Sequence, residues 1–255
     1  MEEFKRISRD LVAKGAIIDY YQDTMQIPNG NIAKWDLIDH KGAAAVVAVR
    51  EDGKLLMVRQ YRNALERETL EIPAGGLNGR EEPTDQAAMR ELQEETGVKD
   101  IYIEQLQAFT AVDRDPRERV MTIAFMAFVR QEKYEVIAGD DAAKAQWFPV
   151  NSLPRLAFDH KEIITLALDK LRWKMTYEPL AFRLLNKTFT ISQLQTIYEV
   201  VFDKKFDRRN FHKKLTSLGY IIPTDEQQKT IGRPSTLYTF DAVSYTHLTL
   251  PTNSL

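Results

Sequence analysis

Strand-like apolar runs fill the first part of the chain. Ile17, Ile18, Tyr20, Tyr21, Met25 and Ile27 form a β-rich run closed by Asn29-Gly30, a two-residue hairpin signal, and Ile32 to Ile38 reads as the return strand. Gly42 to Val49 and Leu55 to Tyr61 are two more apolar strands, joined across Asp52-Gly53. Leu70 to Pro73 is a short strand leading into Gly75-Gly76. The period then changes. Pro83 suits a first helical position, Thr84 to Thr96 carries Ala87, Ala88, Met89 and Leu92, and Gly97 is placed as a helix stop. Tyr102 to Val112, Arg119 to Val129 and Trp147 to Val150 return to strand character. Asn151 to Lys174 begins as a loop around Pro154 and continues as an amphipathic helix through Ile163, Ile164, Leu166, Leu168 and Leu171.

From Thr176 the pattern becomes that of a small helical module. Thr190 with Gln193 makes a capping box before Leu194, Ile197, Tyr198 and Val201. Asp207 can cap a second helix, Arg208 to Leu218, that stops at Gly219. Two helices in this order, followed by Tyr220 to Ile222 and Ser235 to Phe240 around Gly232-Arg233-Pro234, predict a helix-turn-helix with a wing. Val243 to Thr252, VSYTHLTLPT, resembles the translation of a sequencing-library adapter, so 242–255 is set apart as an adapter-derived or disordered tail.

Composition narrows the chemistry. A chain of 255 residues with 44% hydrophobic and 28% charged content is expected to form two globular domains. The net charge of -2 gives no general attraction to polyanions, but 176–241 holds ten Lys and Arg against seven Asp and Glu. With no cysteine there is no disulfide, thiolate metal site or cysteine nucleophile. The charged start lacks a signal core, and the longest apolar run, Ala43 to Val49, is too short to span a bilayer, so a cytoplasmic protein without membrane partners is expected. None of His40, His160 or His212 has a neighbour suggesting a triad or zinc site.

The most informative stretch runs from Gly76 to Val98. Glu91, Glu94 and Glu95 are three and four residues apart, the spacing that gathers side chains on one helical face. A solvated acidic face is the ordinary reading of such a run. Here Glu94 and Glu95 fall in the last helical turn, where the dipole disfavours negative charge, so a cation is expected to offset them. Gly76, Glu82 and Arg90-Glu91-Leu92-x-Glu94-Glu95-x-Gly97-Val98 occupy every fixed position of a 23-residue pattern. That pattern resembles the Nudix box.

The resemblance implies an α/β fold: a Nudix α/β/α sandwich with a mixed sheet over 1–174, its N-terminal hairpin 15–40 serving dimerisation, followed by a winged helix-turn-helix domain over 175–241. It also implies Mg2+, with Mn2+ as second candidate, held by Glu91, Glu95 and Glu94. A main-chain carbonyl from Ala74 or Gly75 completes the shell, with Ala74 preferred. Carboxylates with carbonyl and water oxygens suit such hard ions. Arg90 would orient the cluster, lying one turn from Glu94. Asp141 is the candidate general base, with Glu135 behind it.

Two narrower resemblances meet at the box. GAAAVVAV, LLMVRQYR and LEIPAG resemble bacterial ADP-ribose pyrophosphatases. They imply hydrolysis of ADP-ribose to AMP and ribose 5-phosphate in a homodimer with composite sites, with Trp35 stacking adenine, Asp36 holding the substrate and Arg62 contacting a phosphate. DRDPRERV, AFDHKEI, FDRRNFHKKL and GRPSTLY resemble NrtR-type regulators of NAD metabolism. They imply the alternative, an ADP-ribose-responsive DNA-binding protein, with Arg208, Arg209, Lys213, Lys214 and Arg233 facing DNA.

Overall fold

In a computed structural model the chain is described over residues 3–15, 18–99, 101–115, 120–129, 144–228 and 234–249. Its centre is β4 (Ala43–Arg50), buried along nearly its whole length. Beside it run β5 (Lys54–Arg62), antiparallel, and β9 (Thr122–Val129), parallel. With β8 (Ile103–Phe109) and β10 (Lys144–Pro149) outermost the order is β10-β5-β4-β9-β8, while β6 (Arg67–Glu71) pairs with β5 and β7 (Ala74–Gly76) with β4. The sheet is therefore mixed.

Alternation along β4 divides the core. Ala44, Val46 and Ala48 face α1 (Thr84–Thr96), packing with Ala87, Ala88 and Leu92, whereas Ala45, Val47 and Val49 face α2 (His160–Tyr177), packing with Ile163, Ala167 and Leu171. A buried strand covered by helices on both sides reads as a continuous apolar run, and GAAAVVAV does. The expected α/β/α sandwich is present.

The N-terminal hairpin turns at Asn29-Gly30 between β2 (Ile18–Gln26) and β3 (Ile32–His40), as predicted. It gains a third strand, β1 (Lys5–Lys14), formed by the charged start of the chain. β1 is exposed at almost every position and carries two register shifts, so its apolar residues do not alternate cleanly.

The winged module contains α3 (Ile191–Phe202), α4 (Arg208–Thr216) and the sheet β11-β13-β12, formed by β11 (Thr188–Phe189), β12 (Ile221–Gln228) and β13 (Ser235–Phe240). The Thr190–Gln193 capping box is made in both directions, and Asp207 accepts from the Asn210 N–H at 2.8 Å. The expected boundary at 174/175 falls in the last turn of α2. The core also runs through it: Leu171 and Met175 share one apolar cluster with Leu180, Leu194 and Ile197. Arg172 Nε donates to the Val201 carbonyl at 2.9 Å.

The segment set apart as a tail is helical over α5 (Ala242–Thr249). The Asp241 carboxylate accepts from the Val243 and Ser244 N–H groups, capping the first turn, and Tyr245 meets Tyr220 edge-on at 5.2 Å. Among the described residues no helix is long and apolar enough to cross a membrane.

Candidate active site

The predicted helix forms with its predicted ends: α1 starts after Pro83 and is closed by Gly97 in the left-handed conformation at φ 75°. Pro83 itself sits at the N-cap, one residue before the expected position. The helix carries two of its three glutamates onto the β6–β7 segment. Glu95 Oε2 accepts from the Ala74 N–H at 3.0 Å. Glu91 lies over the next residue, since a Cβ at Gly75 would fall within 2.4 Å of all three of its carboxyl atoms. A side chain at this position would displace the Glu91 carboxyl, which accounts for a glycine in PAGG.

Glu94 does not join them. Its side chain is 61% exposed and meets Arg90 at 3.3 Å. Each residue rotates about 100° around a helix, so a face centred between positions 91 and 95 leaves 94 pointing aside. The expected three-carboxylate face is a pair.

Arg90 ties the box together. Its guanidinium donates to Glu82 at 3.0 and 3.1 Å, to the Gly76 carbonyl at 2.9 Å, and to Glu91. Hydrogen bonding to Arg90 lowers the Glu82 pKa. Burial has the opposite effect on the carboxylates facing Ala74 and Gly75. It raises the Glu91 pKa against the pull of Arg90, and pushes Glu95 up to about 8 against the Ala74 N–H. Both would ionise more readily beside a cation.

Oxygen donors at Glu91 and Glu95 beside the Ala74-Gly75 backbone fit a hard divalent ion. Among the described residues no three acidic or imidazole groups converge into a ready-made cage. Those two carboxylates are therefore the pair that fits, and Ala74 contributes an observed N–H contact to Glu95.

Next to the box lies a cavity of ≈ 120 Å³ reaching from Gly75 and Gly76 to Arg62, Arg114 and His160. Its walls hold residues outside the expected site. Glu71, 1% exposed, receives both edges of the Arg62 fork at 2.8 and 2.5 Å and the Thr69 hydroxyl at 2.6 Å. Arg114 forks onto Asp159 at 2.7 and 2.8 Å and donates to the Thr122 hydroxyl at 2.5 Å. His160 Nδ1 accepts from the Ile72 N–H at 3.3 Å, and burial pushes its pKa down to about 4, so the ring is neutral. The sequence signal available was charge within strand and loop runs: Glu71 in LEIPAG, Arg114 in DRDP and His160 in AFDH.

Three expectations change. Arg62, expected on a phosphate, is the counter-ion of a buried carboxylate. Trp35 and Asp36 stand on β3 away from the box: Trp35 is 46% exposed and packs near Phe4, and Asp36 accepts from Tyr20 at 2.8 Å. His40 at the end of β3 lines the cavity, but Trp35 is five residues back, about 16 Å along a strand. Asp141, Glu135 and Arg233 lie outside the described residues. Arg208, Arg209, Lys213 and Lys214 are all exposed on α4, the second helix of the helix-turn-helix.

Comparison with known proteins matches both parts of this architecture. The NUDIX domain model covers residues 39–167, 129 of the 255, and the NrtR DNA-binding winged helix domain model covers 181–240. The chain is 43% identical to an ADP-ribose pyrophosphatase of Bacillus subtilis over 107 residues, 42% of this chain and 57% of that enzyme. Against an ADPR-responsive transcriptional repressor of Acinetobacter baylyi it is 26% identical over 204 residues, 79% of this chain and 81% of the repressor. The crystal structure of Shewanella oneidensis NrtR complexed with a 27mer DNA superposes with a TM-score of 0.66 at 25% identity, over 81% of this chain and 96% of that one. A mixed sheet between two helical layers, a complete 23-residue box and a matching domain model lead to one conclusion: the chain belongs to the Nudix family, carrying an NrtR-type winged helix domain.

Proposed function

We propose that the chain is a magnesium-dependent Nudix hydrolase that converts ADP-ribose to AMP and ribose 5-phosphate. The observation that carries this reading is the Glu91–Glu95 pair over Ala74-Gly75, whose buried charge calls for a cation. A divalent ion, magnesium first and manganese second, would neutralise the diphosphate and lower the pKa of a bound water. Glu91 and Glu95 hold it, with Glu94 at the periphery, and Arg90 fixes the carboxylates by bridging Glu82, Glu91 and the Gly76 carbonyl. Asp141 is the base that would accept the water proton as the water oxygen bonds to one phosphorus and the bond from that phosphorus to the bridging oxygen breaks, the bridging oxygen leaving with the other phosphate, so that AMP and ribose 5-phosphate are released.

Trp35 and Asp36 reach a substrate only if a second copy brings its β3 over the box. The apolar side chains exposed on the N-terminal sheet, Ile7, Leu11, Ile32 and Ile38, support a homodimer through that sheet. A second activity is favoured by the exposed basic residues of α4: the same chain binds DNA through Arg208, Arg209, Lys213, Lys214 and Arg233, with ADP-ribose as effector.

Product analysis over a panel of nucleoside diphosphate compounds, with magnesium and with EDTA, tests the enzyme. AMP and ribose 5-phosphate from ADP-ribose, formed only with metal, is the expected result. No turnover of any compound rejects it.

A further inference from the structure

We propose that Asn210, on the outward side of α4, reads an adenine in the DNA major groove. This deepens the DNA-binding activity proposed above and rests on it. Burial orients the helix first. Phe211 and Leu215 turn inward: Leu215 is buried, and the Phe211 ring meets Tyr198 and Phe206 at 5.6 and 5.7 Å. At about 100° per residue, the opposite face centres on Arg209 and Lys213 and includes Thr216, with Asn210 at one edge and His212 at the other, all exposed.

Most of the uncharged polar groups there are occupied. The Thr216 hydroxyl donates to the His212 carbonyl at 2.9 Å, and the Ser217 hydroxyl to the Lys214 carbonyl at 2.7 Å. His212 Nε2 lies 3.2 Å from the Tyr238 hydroxyl, which ties that edge of α4 to the wing strand β13. Asn210 is different. Its backbone N–H closes the Asp207 cap at 2.8 Å, while its side-chain amide has no hydrogen-bond partner among the described residues.

Position and chemistry then coincide. Asn210 stands in the first turn of the second helix of a helix-turn-helix, the part of that motif that meets base edges. An amide offers one acceptor and paired donors side by side, which match the N6 donor and N7 acceptor of adenine. Arg209 and Lys213 bring the attraction to phosphate that every sequence shares. The strands of the wing do not add to it: β12 exposes Asp225 and Glu226, and neither β12 nor β13 contains a lysine or arginine.

Selection of binding sites by the full chain from a random double-stranded DNA pool tests the assignment, with anisotropy titrations of the selected duplexes over a salt series. Because the amide makes no contact within the chain, Asn210→Ala should leave Tm unchanged. The parent is expected to enrich a motif with a fixed A·T pair that Asn210→Ala no longer requires, the other positions persisting. Changing that pair to G·C should weaken the parent about tenfold or more and the variant less than about twofold. The salt slope should stay that of the parent, since no charge is removed. A variant that selects the parent's motif unchanged overturns the proposal, even if it binds every sequence more weakly, as a phosphate contact would. A variant that loses preference at every position overturns it too, as does a parent that binds DNA but enriches no motif. A parent that binds no DNA overturns the DNA-binding reading itself.

Discussion

Replacing Arg62 with methionine strands the Glu71 carboxylate. Glu71 is 1% exposed and takes two of its hydrogen bonds, at 2.8 and 2.5 Å, from Arg62, leaving Thr69 at 2.6 Å. Removing one partner of such a buried pair costs about 3–5 kcal/mol, because the remaining charge has lost its counter-ion. In a chain of this size about 2–4 °C accompanies each kcal/mol, so Tm should fall by roughly 6–20 °C. The pH dependence changes sign as well. In the parent, burial pushes the Glu71 pKa up, but Arg62 and Thr69 together hold it below its ordinary value. The pair therefore contributes stability that is present above the unfolded-state pKa and lost as pH falls through the folded one. Without Arg62, burial dominates and the folded pKa rises above the unfolded one. The variant is then least penalised below the unfolded pKa and loses stability as pH rises. Its deficit should shrink between about pH 7.5 and about pH 5. Adding Glu71→Gln removes the stranded charge and should recover most of the loss. Thermal denaturation of the parent, both single variants and the double variant at the two pH values checks this. A loss below about 1 kcal/mol in Arg62→Met, the scale of an exposed pair, or a double variant no more stable than Arg62→Met, refutes the internal counter-ion role.

Other perturbations separate the parts of the molecule. Gly53→Ala places a Cβ 1.8 Å from a Val200 methyl, at a backbone φ of +76°, so it should cost about 1–3 kcal/mol in thermal denaturation and speed hydrogen exchange in α3. Val200→Ala should relieve part of that cost. Arg208→Ala with Lys213→Ala should weaken binding to a promoter fragment and flatten its salt dependence in fluorescence anisotropy. An unchanged salt slope would exclude phosphate contacts from these two residues. Glu94→Gln should reduce ADP-ribose turnover less than Glu91→Gln does, because Glu94 points away from the Ala74-Gly75 backbone.

What was legible in the chain was local. Pro83 and Gly97 bound α1, Asn29-Gly30 turns the hairpin, and Thr190, Gln193 and Asp207 cap the helices of the winged module, because each signal acts within a few residues of itself. The cavity was not legible. Ile72 and His160 meet across 88 residues, and Arg114 meets Asp159 across 45, contacts set by how the sheet and α2 pack. The box was legible as chemistry and only partly as geometry, since spacing alone groups Glu94 with Glu91 and Glu95 while the helix turns it outward. β1 escaped because its apolar residues are interrupted by charge and by two register shifts. The α5 helix was not expected because its sequence resembles a translated adapter, and the residues that cap and pack it, Asp241 and Tyr220, lie before the segment begins.

Glu95→Gln tests the central claim most directly. Burial raises the Glu95 pKa to about 8, so without metal its charge removes stability as pH rises through that value, and the neutral glutamine should leave Tm in EDTA at or above that of the parent. Magnesium-dependent release of AMP from ADP-ribose should fall on the order of 10²–10³-fold, the loss expected when a metal-holding carboxylate worth several kcal/mol in the transition state is removed. A folded Glu95→Gln protein that turns over ADP-ribose at the parent's rate would contradict the account.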